Sequence, residues 1–449
     1  MTRRAGVLLP VSSLWQADDG LAGAARAFID WLVAARFSVW QVLPIGPTGS
    51  DGSPYWLRSD HATHPILIDR RDLDAGEFAA WRARESAWAD DYALHAVLSA
   101  AHGDAPWRDW PVPLRDREPG ALAAARDRHA AAIERVLIEQ CLAERGWAEL
   151  RGYANARGIA LFGDLPIYVA PDSVETWVHR NQFQLDGGGR PLALAGVPPD
   201  YFAVDGQLWG NPLYDWEAMA ADGYAFWRAR VARARARFDL LRLDHFRGLA
   251  AYWRVPAGAR TAREGEWRPA GGRALLRTLV DDARAPAFVA EDLGIITPDV
   301  EALRREFALP GMRVLQFAFD GSPDNPYLPH RHTRDSVVYT GTHDNDTTVG
   351  WYRSLDATTR ARVDALLHAN AGDMPEALVQ AALASVAELA VIPAADLLAL
   401  DSEARINVPG TTAGNWQWRL ASGALTDELA AHYAGANRRH GRALLGYAA

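Results

Sequence analysis

Eight short apolar runs set the strongest limit on how this chain can fold. They are GVLLP at 6–10, SVWQVLPI at 38–45, GIALFGDLPI at 158–167, FDLLRLDHF at 238–246, AFVAEDLG at 287–294, MRVLQFAF at 312–319, SVVYTGTHD at 336–344 and LAVIP at 389–393. Each ends near Gly, Pro or Asp, and helical stretches separate them. Apolar runs without polar alternation are what parallel strands look like when both faces are buried. Eight of them with helices between match the requirement of a TIM barrel. The expected fold is therefore α/β, a single (β/α)8 barrel across 1–449 with helical and loop insertions.

The longest gap, 70–157, is rich in Ala, Arg and Glu with helical periodicity and reads as an inserted, mostly helical subdomain. A second insertion, 171–237, carries Gly187, Gly188, Gly189, Pro191, Pro198 and Pro199, and reads as extended loops before a closing helix. In that helix Arg228, Arg230, Arg233, Arg235 and Arg237 spread around 3.6 residues per turn, which predicts a solvated helix without a functional role. The tail from about 394 reads as helical packing plus one extended segment, RINVPGTTAGNWQWRL.

Several function classes drop out. The net charge of −9 is spread through 449 residues, so no nucleic-acid footprint is present. The apolar start is broken by Pro10, Ser12 and Ser13 and reads as a first strand rather than a signal. No stretch approaches the ~18 apolar residues of a membrane span, and a cytoplasmic protein is expected. The single cysteine, Cys141, shares a helical stripe with Ile133, Val136 and Leu137 and reads as a core residue. Nothing in the sequence sets an oligomeric state. Eighteen tryptophans are a hint of sugar binding, since indole faces pack on the CH-rich faces of pyranose rings.

Three acids stand just beyond predicted strands: Asp244 after LLRL, Glu291 after AFVA and Asp344 after VVYTGTH. In a parallel barrel a polar residue at the carboxyl end of a strand projects into the active site. Any one of them alone reads more readily as a helix cap. Retaining glycoside cleavage needs a carboxylate nucleophile and a carboxylic acid about 5–5.5 Å apart, and neighbouring strands four and five supply such a pair. Asp244 is the expected nucleophile, held charged and oriented by Arg242 two residues earlier on the same strand face. Glu291, emerging from an apolar strand, is the expected general acid/base with a raised pKa. Asp344 across the barrel is expected to grip sugar hydroxyls and stabilise the distorted ring, with His343 as a further donor. A metal site built from His330, His332, His343, Asp335 and Asp344 is the weaker reading, because PYLPHRHTRD lacks helical i, i+4 spacing.

The segments LRLDHFRG, AEDLG and GTHDNDT resemble the nucleophile, acid/base and stabiliser regions of the amylomaltases, the 4-α-glucanotransferases of glycoside hydrolase family 77. WQVLPIGPTGSDGSPY, GDLPIYVAPDSVETW, GVPPDYFAVDGQLWGNPLYDW and RINVPGTTAGNW extend the resemblance through most of the chain. It implies disproportionation of maltooligosaccharides or other α-1,4-glucans through a glucosyl chain held on Asp244, with no cofactor and no metal. It also implies that Tyr55 stacks beneath the sugar at the cleavage point and that Asp164 lies in the same subsite. The P-P-D-Y-F loop is then expected to arch over the acceptor side with Asp200, Tyr201 and Phe202, near Trp209 and Asn211. A retaining α-glucan hydrolase and a non-catalytic glucan-binding barrel are the alternatives. The chain departs from the family pattern after Tyr55, where Trp56, Arg58 and His64 are unusual, in VSSLWQADDGLAGAA near the start, and at Ala395 before Asp396, where Gln is expected.

Overall fold

All eight apolar runs become parallel strands in the computed structural model, which describes residues 3–15, 21–67, 71–199, 204–280, 287–411 and 413–443. In chain order the strands are β1 (Arg4–Leu8), β2 (Val39–Gln41), β3 (Ala160–Leu165), β4 (Ala193–Val197), β5 (Gln207–Pro212), β6 (Leu240–Leu243), β7 (Ala251–Pro256), β8 (Glu266–Pro269), β9 (Ala287–Ala290), β10 (Gly311–Val314), β11 (Ser336–Tyr339) and β12 (Leu389–Pro393). The eight-stranded sheet runs β10-β11-β12-β1-β2-β3-β6-β9. At its two ends the Ala290 N–H donates to the Pro310 carbonyl at 2.8 Å and the Met312 N–H to Asp292 Oδ1 at 2.6 Å, which draws β9 and β10 together and closes the barrel. The run MRVLQFAF yields a shorter strand than its length suggests. It turns at Leu315–Phe317, where apolarity serves burial rather than pairing.

Strand side chains divide by the two-residue period. Leu8, Val39, Phe162, Leu240, Val289, Val337 and Val391 fill the barrel interior, while Val7, Trp40, Leu161, Leu241, Phe288, Val338 and Ala390 pack outward on the helices. The inward phase carries Phe162 on to Asp164, Leu240 on to Arg242 and Asp244, and Val289 on to Glu291. Apolar inward residues thus fill the barrel, and polar ones crown its carboxyl end.

Helices Ala75–Ala101, Pro119–Arg128 and Ala130–Ala156 share a separate core with Trp81, Trp107, Trp110, Leu137, Cys141 and Trp177. Asp74 caps the first of them by accepting from the Gly76 and Glu77 N–H groups. Cys141 is buried and free. No helix among the described residues is long and apolar enough to cross a membrane.

Two findings depart from expectation. The Gly- and Pro-rich stretch contains β4 and β5, which join β7 and β8 in an antiparallel sheet of order β5-β4-β7-β8. The second partner of β4, β7, lies beyond β6, so local sequence does not reveal that pairing. Gly196 is required there, since a Cβ would come within 2.4 Å of the Gln207 carbonyl oxygen. The arginine-rich helix Ala225–Arg237 is not the solvated element expected. Arg230, Arg233 and Arg237 recur at i, i+3 and i+7 and share one face. Arg230 is buried against Asp60 (2.5 Å), the Pro166 carbonyl (2.6 Å) and Tyr214 Oη (3.0 Å). Arg233 donates to the His61 carbonyl at 2.8 Å and Arg237 to Thr63 Oγ1 at 2.8 Å. The arginines therefore fasten the loop after β2.

Candidate active site

The site assembles on Arg242. Its Nη1 lies 2.9 and 2.7 Å from the two oxygens of Asp164 and 2.8 Å from Asp244 Oδ1, while Nη2 lies 4.0 Å from Glu291 Oε2. Three strands thus aim three carboxyls at one guanidinium: β3 brings Asp164, the end of β6 Asp244 and the end of β9 Glu291. Paired strands in register force this. Asp164 is directly opposite Arg242, and Arg242 directly opposite Val289. Burial is the largest influence on Arg242, but Asp164 and Asp244 outweigh it and fix the side chain as a permanent cation.

Glu291 accepts from two backbone donors, the His245 N–H on Oε2 at 2.8 Å and the Leu293 N–H on Oε1 at 2.9 Å. Burial, reinforced by the charge of Asp244, still pushes its carboxyl up to about 8 against the pull of Arg242. That suits a group that gives up a proton near neutral pH. Asp164 is also pushed up, first by burial and then by Asp244, with Arg242 opposing.

Tyr55 arrives on the loop after β2 and donates its hydroxyl to Asp164 Oδ2 at 2.6 Å. Burial and then Asp164 push that phenol well above its usual range, so it remains a donor. Its ring stacks on His343 with centroids 5.3 Å apart and 19° between planes, and Trp416 closes the group at 6.1 Å from both rings. Asp344 lies beside His343, with 3.4 Å between Nε2 and Oδ2, and its Oδ1 accepts from Asn407 Nδ2 at 2.6 Å. Arg405 Nη2 donates to the Asp344 carbonyl at 2.8 Å. The extended segment of the tail thus folds back onto the barrel mouth. Asp396 anchors the same loop from below, accepting from Thr340 Oγ1 (2.5 Å) and from the Thr348 N–H and hydroxyl (both 2.7 Å).

The structure therefore brings Tyr55, Asp164, Arg242, Asp244, Glu291, His343 and Asp344 to one mouth. Trp209 lies beside them on β5, its ring edge-on to His245 at 4.7 Å. Asn211 is placed differently: it is buried and its Nδ2 donates to the Val169 carbonyl at 2.9 Å, tying β5 to the loop after β3. Asp200, Tyr201 and Phe202 lie outside the described residues. His332 is occupied at both ring nitrogens, by Ser385 Oγ at 2.8 Å and the Tyr327 carbonyl at 2.9 Å, while His330 and Asp335 are exposed. Among the described residues no three His, Cys, Asp or Glu side chains converge as metal ligands would.

Sequence reasoning missed His245, Asn407, Arg405 and Trp416. His245 is a non-glycine residue with φ 44° and ψ 52°, a left-handed conformation that turns its N–H onto Glu291. Burial lowers its imidazole to about 4, so the ring is neutral. Position next to Asp244, the expected nucleophile, is the only sequence signal for it. The unusual residues after Tyr55 have structural partners. Trp56 lies against Gly210, where a Cβ would be 3.4 Å from the ring. Arg58 Nη1 donates to Ser99 Oγ at 3.0 Å and ties the loop to the helical subdomain. His64 Nδ1 accepts from the Ile66 N–H at 3.1 Å.

Comparisons with known proteins identify the family. Residues 9–77 and 70–426 match the family described as 4-alpha-glucanotransferase, glycoside hydrolase family 77. A 4-alpha-glucanotransferase of Thermus thermophilus is 44% identical over 95% of this chain and 97% of its own, and one of Synechocystis is 41% identical over 98% of each. The solved amylomaltase of Streptococcus agalactiae in complex with acarbose superposes with a TM-score of 0.93 at 30% identity, covering 98% of this chain and all of that one. The chain belongs to the 4-alpha-glucanotransferases of glycoside hydrolase family 77 and is an enzyme of that class on a parallel (β/α)8 barrel.

Proposed function

We propose that the enzyme transfers α-1,4-glucan segments between maltooligosaccharides by double displacement, with Asp244 as nucleophile, Glu291 as general acid/base and Asp344 as stabiliser of the distorted sugar. The observation that carries this reading is one guanidinium serving two unlike acids. Arg242 grips the Asp244 carboxylate at 2.8 Å, whereas Glu291, 4.0 Å away and raised to about 8, holds a proton. Asp244 attacks the anomeric carbon as Glu291 protonates the departing glycosidic oxygen. Glu291 then takes the proton of an incoming 4-hydroxyl, whose oxygen displaces Asp244 and restores the α-linkage. Tyr55 and His343 form the aromatic floor and Asp164 and Asp344 the hydroxyl acceptors around the reacting ring. The insertion 171–237, with Trp209 and the β5 strand that Asn211 fastens, is assigned to the acceptor side, and Asp200 and Tyr201, outside the described residues, are assigned the role of acceptor ligands. The chemistry needs no metal or cofactor, since both proton carrier and nucleophile are side chains. The same proposal sets the enzyme in the cytoplasm, acting on maltodextrins or glycogen-derived chains. Incubation with maltotriose tests it. A ladder of longer oligomers with free glucose is expected; maltose and glucose alone would mark a hydrolase instead.

A further inference from the structure

The small antiparallel sheet carries an aromatic feature that the reaction at Asp244 and Glu291 does not use. Gly196 is directly opposite both Leu208 and Trp253, and Trp253 directly opposite Trp267, so these residues form one row across the sheet. Trp267 is 37% exposed, and so is Leu208 at the other end of the row. A part-exposed indole on an edge strand is an association hazard, and its retention calls for a use.

Trp267 is held rigidly. The Trp253 ring meets it at 5.2 Å and 67°, and Trp253 is itself locked by Nε1 donating to the Ala262 carbonyl at 2.8 Å above Gly265, where any Cβ would collide with the indole. The Arg247 guanidinium lies 3.9 Å from the Trp267 ring centroid. Arg247 Nη1 is tied to the Ile295 carbonyl at 2.8 Å and Thr297 Oγ1 at 3.0 Å, so it is fastened to the loop that leaves Glu291. Arg247 Nε is buried without a hydrogen-bond partner among the described residues. Arg247 thereby links the Trp267 indole to the chain segment that follows Glu291, the residue that protonates the leaving chain in the transferase reading.

We infer that Trp267, braced by Trp253 and Arg247, is a remote platform for the leaving and acceptor chain, stacking on a glucose unit beyond those bound at the barrel mouth. A preordered indole offers an apolar plate to the CH face of a pyranose at little entropic cost. The platform thus favours long α-glucans over short ones. This inference rests on the transferase reading above.

The test compares initial transfer rates on maltotriose and on long amylose for the wild type, Trp267→Ala and Trp267→Tyr. In Trp267→Ala the ratio of kcat/KM for amylose to that for maltotriose is expected to fall about three- to tenfold, through KM, as fits the loss of one aromatic contact. Tyr, which keeps a flat ring, is expected to restore most of it. A ratio that changes by less than about twofold in Trp267→Ala, or equal losses on both substrates, overturns the platform. Trp267→Gln, read by the same ratio, decides the matter if the alanine variant does not fold. Failure of the wild type to lengthen maltotriose would instead overturn the transferase reading, so the two failures are separable.

Discussion

Replacing Arg242 with Gln perturbs the site at its centre and should move the alkaline limb of the pH profile upward. Arg242 Nη2 lies 4.0 Å from Glu291 Oε2, and the two side chains are 6% and 11% exposed, so solvent screens them little. At an effective dielectric of about 20, opposite charges at that distance attract by roughly 4 kcal/mol, or about three pKa units, an upper bound because the site relaxes. This attraction favours ionised Glu291, and burial currently outweighs it to set the carboxyl at about 8. Removing the cation leaves burial and Asp244 opposed chiefly by the backbone N–H groups, so the pKa of Glu291 rises further. Glu291 must be protonated to act as acid, and the alkaline limb of kcat/KM should therefore shift from near 8 to higher pH by about one to three units. Turnover should also fall on the order of 10²-fold or more, because Asp244 loses the group that orients it. The assay is glucose release from maltotriose across pH 5–11 with folding checked at each pH, and Arg242→Lys as the charge-preserving control. An unmoved limb, or one moved to lower pH, refutes the account of how Glu291 is tuned.

Other expectations are simpler to check. Glu291→Gln should abolish transfer while changing the pH dependence of stability. The raised pKa means that wild-type stability is fully present below the unfolded value near 4.5 and is lost as pH rises towards about 8. Urea denaturation should show the variant gaining on the wild type by roughly 1.4 kcal/mol per pH unit across that window, whereas a constant difference would rule the linkage out. Asp244→Asn should lose at least ~10³ in kcat, and normal activity would remove Asp244 from the nucleophile's role. Tyr55→Phe deletes the 2.6 Å hydrogen bond to Asp164 but keeps the ring against His343, and should cost about 1.5–3 kcal/mol of stability; an unchanged denaturation midpoint would contradict this. Asn211→Ala should act chiefly on stability, by about 1–3 kcal/mol, since its amide is spent on the Val169 carbonyl; a raised KM at unchanged stability would make Asn211 a sugar ligand instead.

The barrel, and the acids that its strands carry to the mouth, were legible because they depend on local pattern. A parallel strand buried on both faces has to be continuously apolar, and a polar residue in inward phase at its end has to meet solvent at the mouth. FDLLRLDHF and AFVAEDLG record both facts within nine and eight letters. The antiparallel sheet was not legible, because β4 pairs with β7 across the whole of β6 and nothing local announces that partner. Five arginines around a helix gave no sign that three would turn inward onto Asp60, His61 and Thr63, more than 160 positions away. His245 was invisible for another reason. Its contribution to Glu291 is a backbone N–H, which every residue but proline has, delivered by a φ of 44° that no letter encodes.

By itself, then, the sequence of this protein determined the eight strands, the inward phase that lines up Asp164, Arg242, Asp244 and Glu291, and the family. All of these follow from periodicity and residue type within short windows. Tertiary structure alone decided that one guanidinium would serve three carboxyls, that a tail segment more than 60 residues beyond Asp344 would supply Asn407 to hold it, and that Glu291 would keep its proton to about 8. Proton affinity depends on the water and charge excluded or admitted around a group, and those surroundings come from strands that meet only when the barrel closes.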